Sequence, residues 1–354
     1  MNRLIAPLVS LVLIIGVGYL IFTSVSSQLG GPTKLRGAIG SEKEEFFKDL
    51  ELQQILRGKG FEVEIVKAGS RSIATTFDLT GYDFAFPAGS PAATKLKRDK
   101  KVSTTYDVFF SPMVIATWKP ISNILKQNGV SSDKGKYDEL NLTAFLELIK
   151  KNQRWSDLKG SAEYDVSKPV LISTTDVASS NSAAMYLALV SYVLNDNNIV
   201  PDALSAARVA PLVAPLFRQQ GFQESSSAGP FEDYLLIGIG KSPLVFIYES
   251  QFLERVVKKA LRPEMRLMYP SPTVFTKHIL VPLTEAGGKF GELLSTDPAL
   301  QRIAAKYGFR SSDPNAFSSA VTTYNLPIKP NLVNVIDPPN FETLEAMIAV
   351  LTKK

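Results

Sequence analysis

Past residue 32 the chain opens with three short apolar runs, at 34–39, 61–67 and 82–87. The first two are separated by a segment, 42–57, in which Phe46, Phe47, Leu50, Ile55 and Leu56 form an apolar stripe at helical spacing. Gly58 and Gly60 stop the stripe, and the run at 61–67 alternates with the two-residue period of a strand. Strand, helix and strand in this order build a parallel pair with a crossover helix, so the spacing predicts an α/β domain opening on a β-α-β unit and a further strand.

A second unit of the same kind follows. Residues 107–117 form an apolar run interrupted by Pro112, suited to a strand that leaves one lobe and enters another. Residues 145–150 read as the end of a helix, 169–174 as a buried strand, 181–194 as a strongly apolar helix and 244–248 as another strand. A strand pair at 266–269 and 278–282 brackets Pro270-Ser271-Pro272 and carries the chain back to the first lobe; helices follow at 290–294, 298–307 and 341–351. The expectation is a two-lobed α/β fold, with 33–110 and 275–354 as the first lobe and 111–274 as the second. Two crossings leave a cleft between lobes, where small ligands are usually held.

Ahead of this domain, residues 4–22 carry no charge, and as a helix they would reach roughly 28 Å, near the thickness of a bilayer core. The stretch is longer than the apolar region of a secretory signal and lacks a clear A-x-A site, Ser24-Val25-Ser26 being a weak substitute. It is read as one uncleaved transmembrane helix in preference to a cleaved signal, with 23–32 as a tether and the large domain outside the cytoplasm. The protein is therefore expected at the cell membrane as a single-pass chain, or secreted if the N-terminus is removed.

The rest of the composition excludes much. Without cysteine there is no disulfide, zinc–thiolate site, iron–sulfur cluster, thiol catalysis or lipidation at a cysteine. The net charge of +5 is small for 354 residues and dispersed, which argues against nucleic acid as a partner. The single histidine, His278, has Ile279, Leu280 and Val281 beside it and is read as a strand residue. No pair of carboxylates has the spacing of a metal or glycosidase site, and Gly238-Ile239-Gly240-Lys241 falls short of a phosphate loop. No catalytic residue, metal site or cofactor is expected, and the chain is read as a non-enzyme.

Three places offer ligand contacts. Gly40, Ser41, Glu42 and Lys43 follow the first strand; Ser41 with Glu44 fits a capping box, while the same helix start could face an oxygen-rich ligand. Glu42, Glu44 and Glu45 weigh against a strongly anionic one. Gly69, Ser70 and Arg71 stand at the carboxyl end of the second strand, where open α/β sheets hold ligands, and supply close backbone approach, a hydroxyl and a two-pronged donor. Thr175, Ser180, Asn181 and Ser182 surround the start of the 181–194 helix, and Tyr248 with Glu249 ends a strand. Capping by one of the Ser or Asn residues is the competing role.

Gly40-Ser41-Glu42-Lys43, Ser180-Asn181-Ser182-Ala183, and Asp297-Pro298 leading to Tyr307-Gly308-Phe309-Arg310 resemble, in order and spacing, the type II periplasmic solute-binding proteins, nearest to the sulfate- and molybdate-binding receptors. The resemblance spans most of the stretch from 33 to about 310. It implies a small polar or anionic solute held between lobes by hydroxyls and backbone amides, hinge closure, and delivery to an ABC permease or another membrane partner. The transmembrane helix departs from the family's usual lipid-anchored or soluble form, and leaves open a surface interaction, assembly or sensor role on the same scaffold.

Overall fold

A computed structural model describes residues 31–353. The transmembrane expectation falls on 4–22, outside the described residues; among those described, no helix is long and apolar enough to cross a membrane.

Strand β1 (Thr33–Ile39) pairs in parallel with β2 (Phe61–Lys67) on one side and β3 (Phe84–Phe86) on the other, the expected β-α-β unit with a further strand. The helix expected over 42–57 is divided: a 3-10 turn (Ser41–Lys43) runs into α1 (Glu44–Lys48), and α2 (Leu50–Gly58) starts afresh. Asp49 makes the break. Its extended backbone ends α1, and its Oδ1 accepts from the N–H groups of Glu51 and Leu52 at 2.8 and 3.0 Å. Helices α3 (Ser70–Thr75) and α4 (Ser90–Asp99) complete this half.

Strand β4 (Tyr106–Trp118) is continuous through Pro112. Its first half pairs antiparallel with β9 (Thr273–Pro282), from Tyr106 opposite Leu280 to Pro112 opposite Phe275. Its second half pairs antiparallel with β7 (Leu244–Tyr248) and β8 (Met265–Ser271). At its far end β9 pairs with β3 through Val281 and Pro282, while Thr273 and Val274 pair with β10 (Val335–Ile336). Both strands thus run from one half of the molecule into the other. A hairpin of β5 (Ser131–Asp133) and β6 (Asp138–Asn141) extends the sheet beyond β8.

The second half carries α5 (Lys119–Gln127), α6 (Leu142–Lys150), α7 (Asn181–Leu194), α8 (Ala203–Arg218), α9 (Ala228–Leu236) and α10 (Glu249–Val257). Helix α7 is buried from Asn181 to Ser191, as the apolar run from Ala183 to Val190 within it requires. The segment 169–174, expected as a strand, makes isolated bridges instead: Pro169 to Arg154 and Ser173 to Val245.

The cores divide in step with the crossing strands. Leu35, Phe46, Phe86, Phe109, Leu280, Phe290 and Phe309 pack in one cluster, supported by α11 (Glu285–Thr296) and α12 (Pro298–Lys306). Met113, Leu187, Phe246, Tyr269 and Val274 pack in another. After α12, helix α13 (Pro314–Tyr324) and the last helix, α14 (Phe341–Thr352), place Phe317, Leu344, Met347 and Leu351 in that second cluster, packed with Val209 and Val213 of α8. The sequence grouped 275–354 with the first lobe; Phe317, Leu326, Leu344, Met347, Ile348 and Leu351 pack in the second cluster, while Phe341 lies against Arg71 and Lys95.

Candidate functional site

Side chains alternate across a strand, so Phe109, Ser111 and Met113 of β4 share a face with His278, Thr276 and Val274 of β9. Phe109 and Leu280 belong to one core and Met113 and Val274 to the other. Between them Ser111, Thr276 and His278 form a belt of fully buried polar residues at the junction of the halves.

From the first half, the turn after β1 brings Glu42 and Lys43 onto this belt. Lys43 is wholly buried. Its ammonium forms an ion pair with the Glu42 carboxylate, lies 3.2 Å from His278 Nδ1 and sits 4.8 Å over the Phe86 ring. Glu42 Oε1 is also 3.3 Å from His278 Nδ1. Burial pushes the Glu42 carboxyl up, but Lys43 and His278 outweigh it and bring the group to about 2. For His278, burial and the Lys43 ammonium both oppose a charge, and the ring is held down to about 4 despite Glu42. The imidazole is therefore neutral near pH 7. Its Nδ1 faces both Lys43 and Glu42, and its buried Nε2 has no partner among the described residues.

Two further belt atoms are buried without a partner among the described residues, Thr276 Oγ1 and Ser250 Oγ. Ser250 lies at the start of α10, and its N–H donates to Ser111 Oγ at 3.2 Å. Each such atom costs about 1–3 kcal/mol unless something meets it.

From the second half come Asn181 and Tyr248. The Asn181 amide donates to the Tyr248 phenol oxygen at 3.1 Å, and the Tyr248 ring packs 5.4 Å from that of His278. Burial raises the Tyr248 phenol, with the Glu42 carboxylate adding to it, so the phenol stays protonated. Gly89, held at a φ of 93°, faces the Asn181 amide where a side chain would collide with it.

The remaining sequence candidates have these places. Ser41 is half-buried and makes no side-chain cap, so the capping box with Glu44 is not formed; Gly40 is the cap residue, also without a side-chain bond. Gly69 abuts Ser179 O, and the N–H groups of Arg71 and Ser72 donate to that oxygen at 3.1 Å, closing the two halves against each other. Ser70 Oγ accepts from Ala88 N–H at 2.9 Å. The Arg71 guanidinium forms an ion pair with Glu345 of α14 through Nη2 and donates from Nε to Ala178 O at 3.3 Å, so Nη2 and Nε both meet protein groups. Thr175, Ser182 and Ser180 form a hydroxyl chain, Thr175 Oγ1 to Ser182 Oγ at 2.8 Å and Ser182 Oγ to Ser180 Oγ at 3.0 Å. Glu249 is directed elsewhere: it accepts the Tyr269 hydroxyl at 2.5 Å and both prongs of Arg310.

The structure thus brings Glu42, Lys43, Asn181 and Tyr248 together, with Gly40, Ser70 and Gly69 at the edge. It adds Ser111 and His278, which the sequence reading placed in strands, and Ser250 and Thr276, which it placed in no element. The available signal was Thr276-x-His278, two polar residues in phase on a strand whose neighbours on the same face are apolar.

No protein-family model and no curated protein sequence matches the chain. Among solved structures it is similar to a periplasmic thiamin binding protein, at 12% identity and TM-score 0.59 over 91% of this chain and 96% of that one. It is similar to iron-bound HitA from Pseudomonas aeruginosa, at 12% identity and TM-score 0.57 over 91% and 100%. It is also similar to the sulfate-binding protein SubI from Mycobacterium tuberculosis H37Rv, at 15% identity and TM-score 0.50 over 88% and 96%. The fold is that of the type II periplasmic solute-binding proteins.

Proposed function

We propose that this chain is an extracytoplasmic solute-binding protein that closes over a small polar solute at the buried belt, is held to the membrane by residues 4–22, and delivers its solute to an ABC-type permease. We place 33–110 and 275–310 in one lobe, and 111–274 with the segment from 311 in the other. The observation that carries the reading is the set of unpartnered atoms His278 Nε2, Thr276 Oγ1 and Ser250 Oγ where the two cores meet. A core buries such atoms at a cost, and a solute that pairs with them recovers it. Contacts with both halves exist only in the closed form, so binding shifts the population toward closure. The similar structures are named for thiamin, iron and sulfate, all small solutes, which supports the class and does not select among them.

The test is recovery of the full-length protein from its native host and mass spectrometry of what it releases on denaturation. A small molecule in stoichiometric amount supports the reading. An empty protein whose melting temperature no anionic, neutral or cationic solute raises would sink it.

One observation favours a second reading, a surface assembly component. Arg71 with Glu345, and Lys258 with Glu45 at 2.6 Å, tie the halves together through protein groups alone. A stable protein partner that co-purifies with a solute-free chain would select that role.

A further inference from the structure

We infer that Glu42 is a built-in counter-ion that takes the anion-accepting position of the belt, so that the site refuses tetrahedral oxyanions and admits an uncharged or cationic solute bearing O–H or N–H donors. The inference rests on the solute-binding reading and names its substrate class.

The argument starts from Lys43, the cation buried at the belt. An ammonium has three N–H donors. The Lys43 ammonium faces the Glu42 carboxylate, His278 Nδ1 and the ring of Phe86, and the residue is wholly buried. Protein groups thus enclose the buried ammonium of the belt. The ion pair is neutral as a unit, His278 adds no charge, and Arg71 is committed to Glu345 and Ala178 O. An arriving dianion would find no free positive charge and one fixed carboxylate, in a place where low dielectric magnifies the repulsion.

What the belt offers has the opposite character. Lys43 bonds Glu42 at Oε1, the atom that also faces His278, and among the described residues no hydrogen bond reaches Oε2, which leaves an ionised acceptor at the site. The Tyr248 phenol accepts from Asn181 and keeps its own O–H to donate. His278 Nε2 is a further buried polar atom without a partner among the described residues, and Thr276 and Ser250 add hydroxyls that both give and take. A hydroxyl group satisfies both kinds of site, and an amine satisfies Glu42 and the hydroxyls. A sulfate or molybdate, without a proton to give at neutral pH, meets Glu42 with nothing.

The experiment uses the full-length protein in detergent, with sodium sulfate and sodium molybdate as probes, read by thermal shift and calorimetry. The wild type should show no saturable response to either anion. Glu42→Gln keeps the shape and frees Lys43 and His278, and should bind one or both anions about a hundredfold tighter than wild type, the factor that one removed like charge is worth at a partly screened site. Glu42→Ser serves as a second variant should the glutamine form fold poorly. Wild-type binding of either anion below millimolar concentration overturns the inference, as does failure of both folded variants to gain anion affinity. A gain in the variants supports it even where no native solute has been found, so its outcome is separable from that of the solute-binding reading.

Discussion

The side-chain amide of Asn181 stands 3.1 Å from the phenol oxygen of Tyr248, joining the first turn of α7 to the end of β7 beside the belt. Both residues are buried, and Tyr248 is 2% exposed. Tyr248→Phe removes the acceptor and strands one amide N–H, which should cost about 1–3 kcal/mol. The check is the melting temperature, expected to fall by a few degrees. An unchanged midpoint would mean that the amide finds another partner and that the pair does not organise the second-half wall.

Lys43 and Glu42 should behave as one unit. Lys43→Met leaves an uncompensated buried carboxylate and should cost about 3–5 kcal/mol, whereas the double variant Glu42→Gln with Lys43→Met removes both charges and should recover most of that loss. Urea unfolding of the four proteins of this cycle measures the coupling. Additive losses would mean that the two charges do not face each other.

Acid should destabilise the protein in two overlapping windows. His278 is lowered from 6.5 to about 4 by burial and by the Lys43 ammonium. Between those values the unfolded chain binds a proton that the folded one does not, so stability is complete above 6.5 and is lost as pH falls toward 4, by about 3 kcal/mol. Glu42 is lowered from 4.5 to about 2, with burial opposed and outweighed by Lys43 and His278 together, and continues the loss in the same direction below 4.5. His278→Gln should abolish the upper window and narrow the lower one, which Lys43 then sustains alone. A wild-type urea midpoint that stays constant from pH 6.5 to 4 would contradict the buried neutral imidazole.

Much of this was legible in the sequence, because two kinds of periodicity suffice for it. Helix 181–194 and strand 244–248 are long or apolar enough to announce themselves, and both stand where expected. The division at Asp49 was hidden, since an aspartate inside an apolar stripe looks like a solvated position until its cap bonds are seen. Helix α8 carries Pro211 and Pro215 inside it, which argue against a helix in sequence and are tolerated here within a 16-residue helix packed on α14. The site was half legible. Residues at helix starts could be proposed from local pattern, but the belt is made by register between β4 and β9, strands far apart in the chain, and no local pattern encodes that pairing. Arg71 shows the converse: its position after β2 suggested a ligand donor, and its partner, Glu345, lies 274 residues away.

That partner makes the last helix testable as a fastening between the halves. Helix α14 lays Leu344, Met347 and Leu351 into the second-half core, while at its start Glu345 pairs with Arg71, Glu342 pairs with Arg98 at 2.6 Å, and the Phe341 ring lies 5.6 Å from both Arg71 and Lys95. Arg98 and Glu342 are exposed, so their pair contributes little. Arg71 is 3% exposed and cannot be left unpaired without loss. Glu345→Lys should therefore weaken the contact between halves more than Glu342→Lys does, and Arg71→Ala should act like the former. The readout is the distance between spin labels placed on α4 and α8, which should broaden toward open forms in Glu345→Lys and Arg71→Ala and stay narrow in Glu342→Lys. Equal distributions in all three would show that the crossing strands and the Ser179 contact alone set the closure.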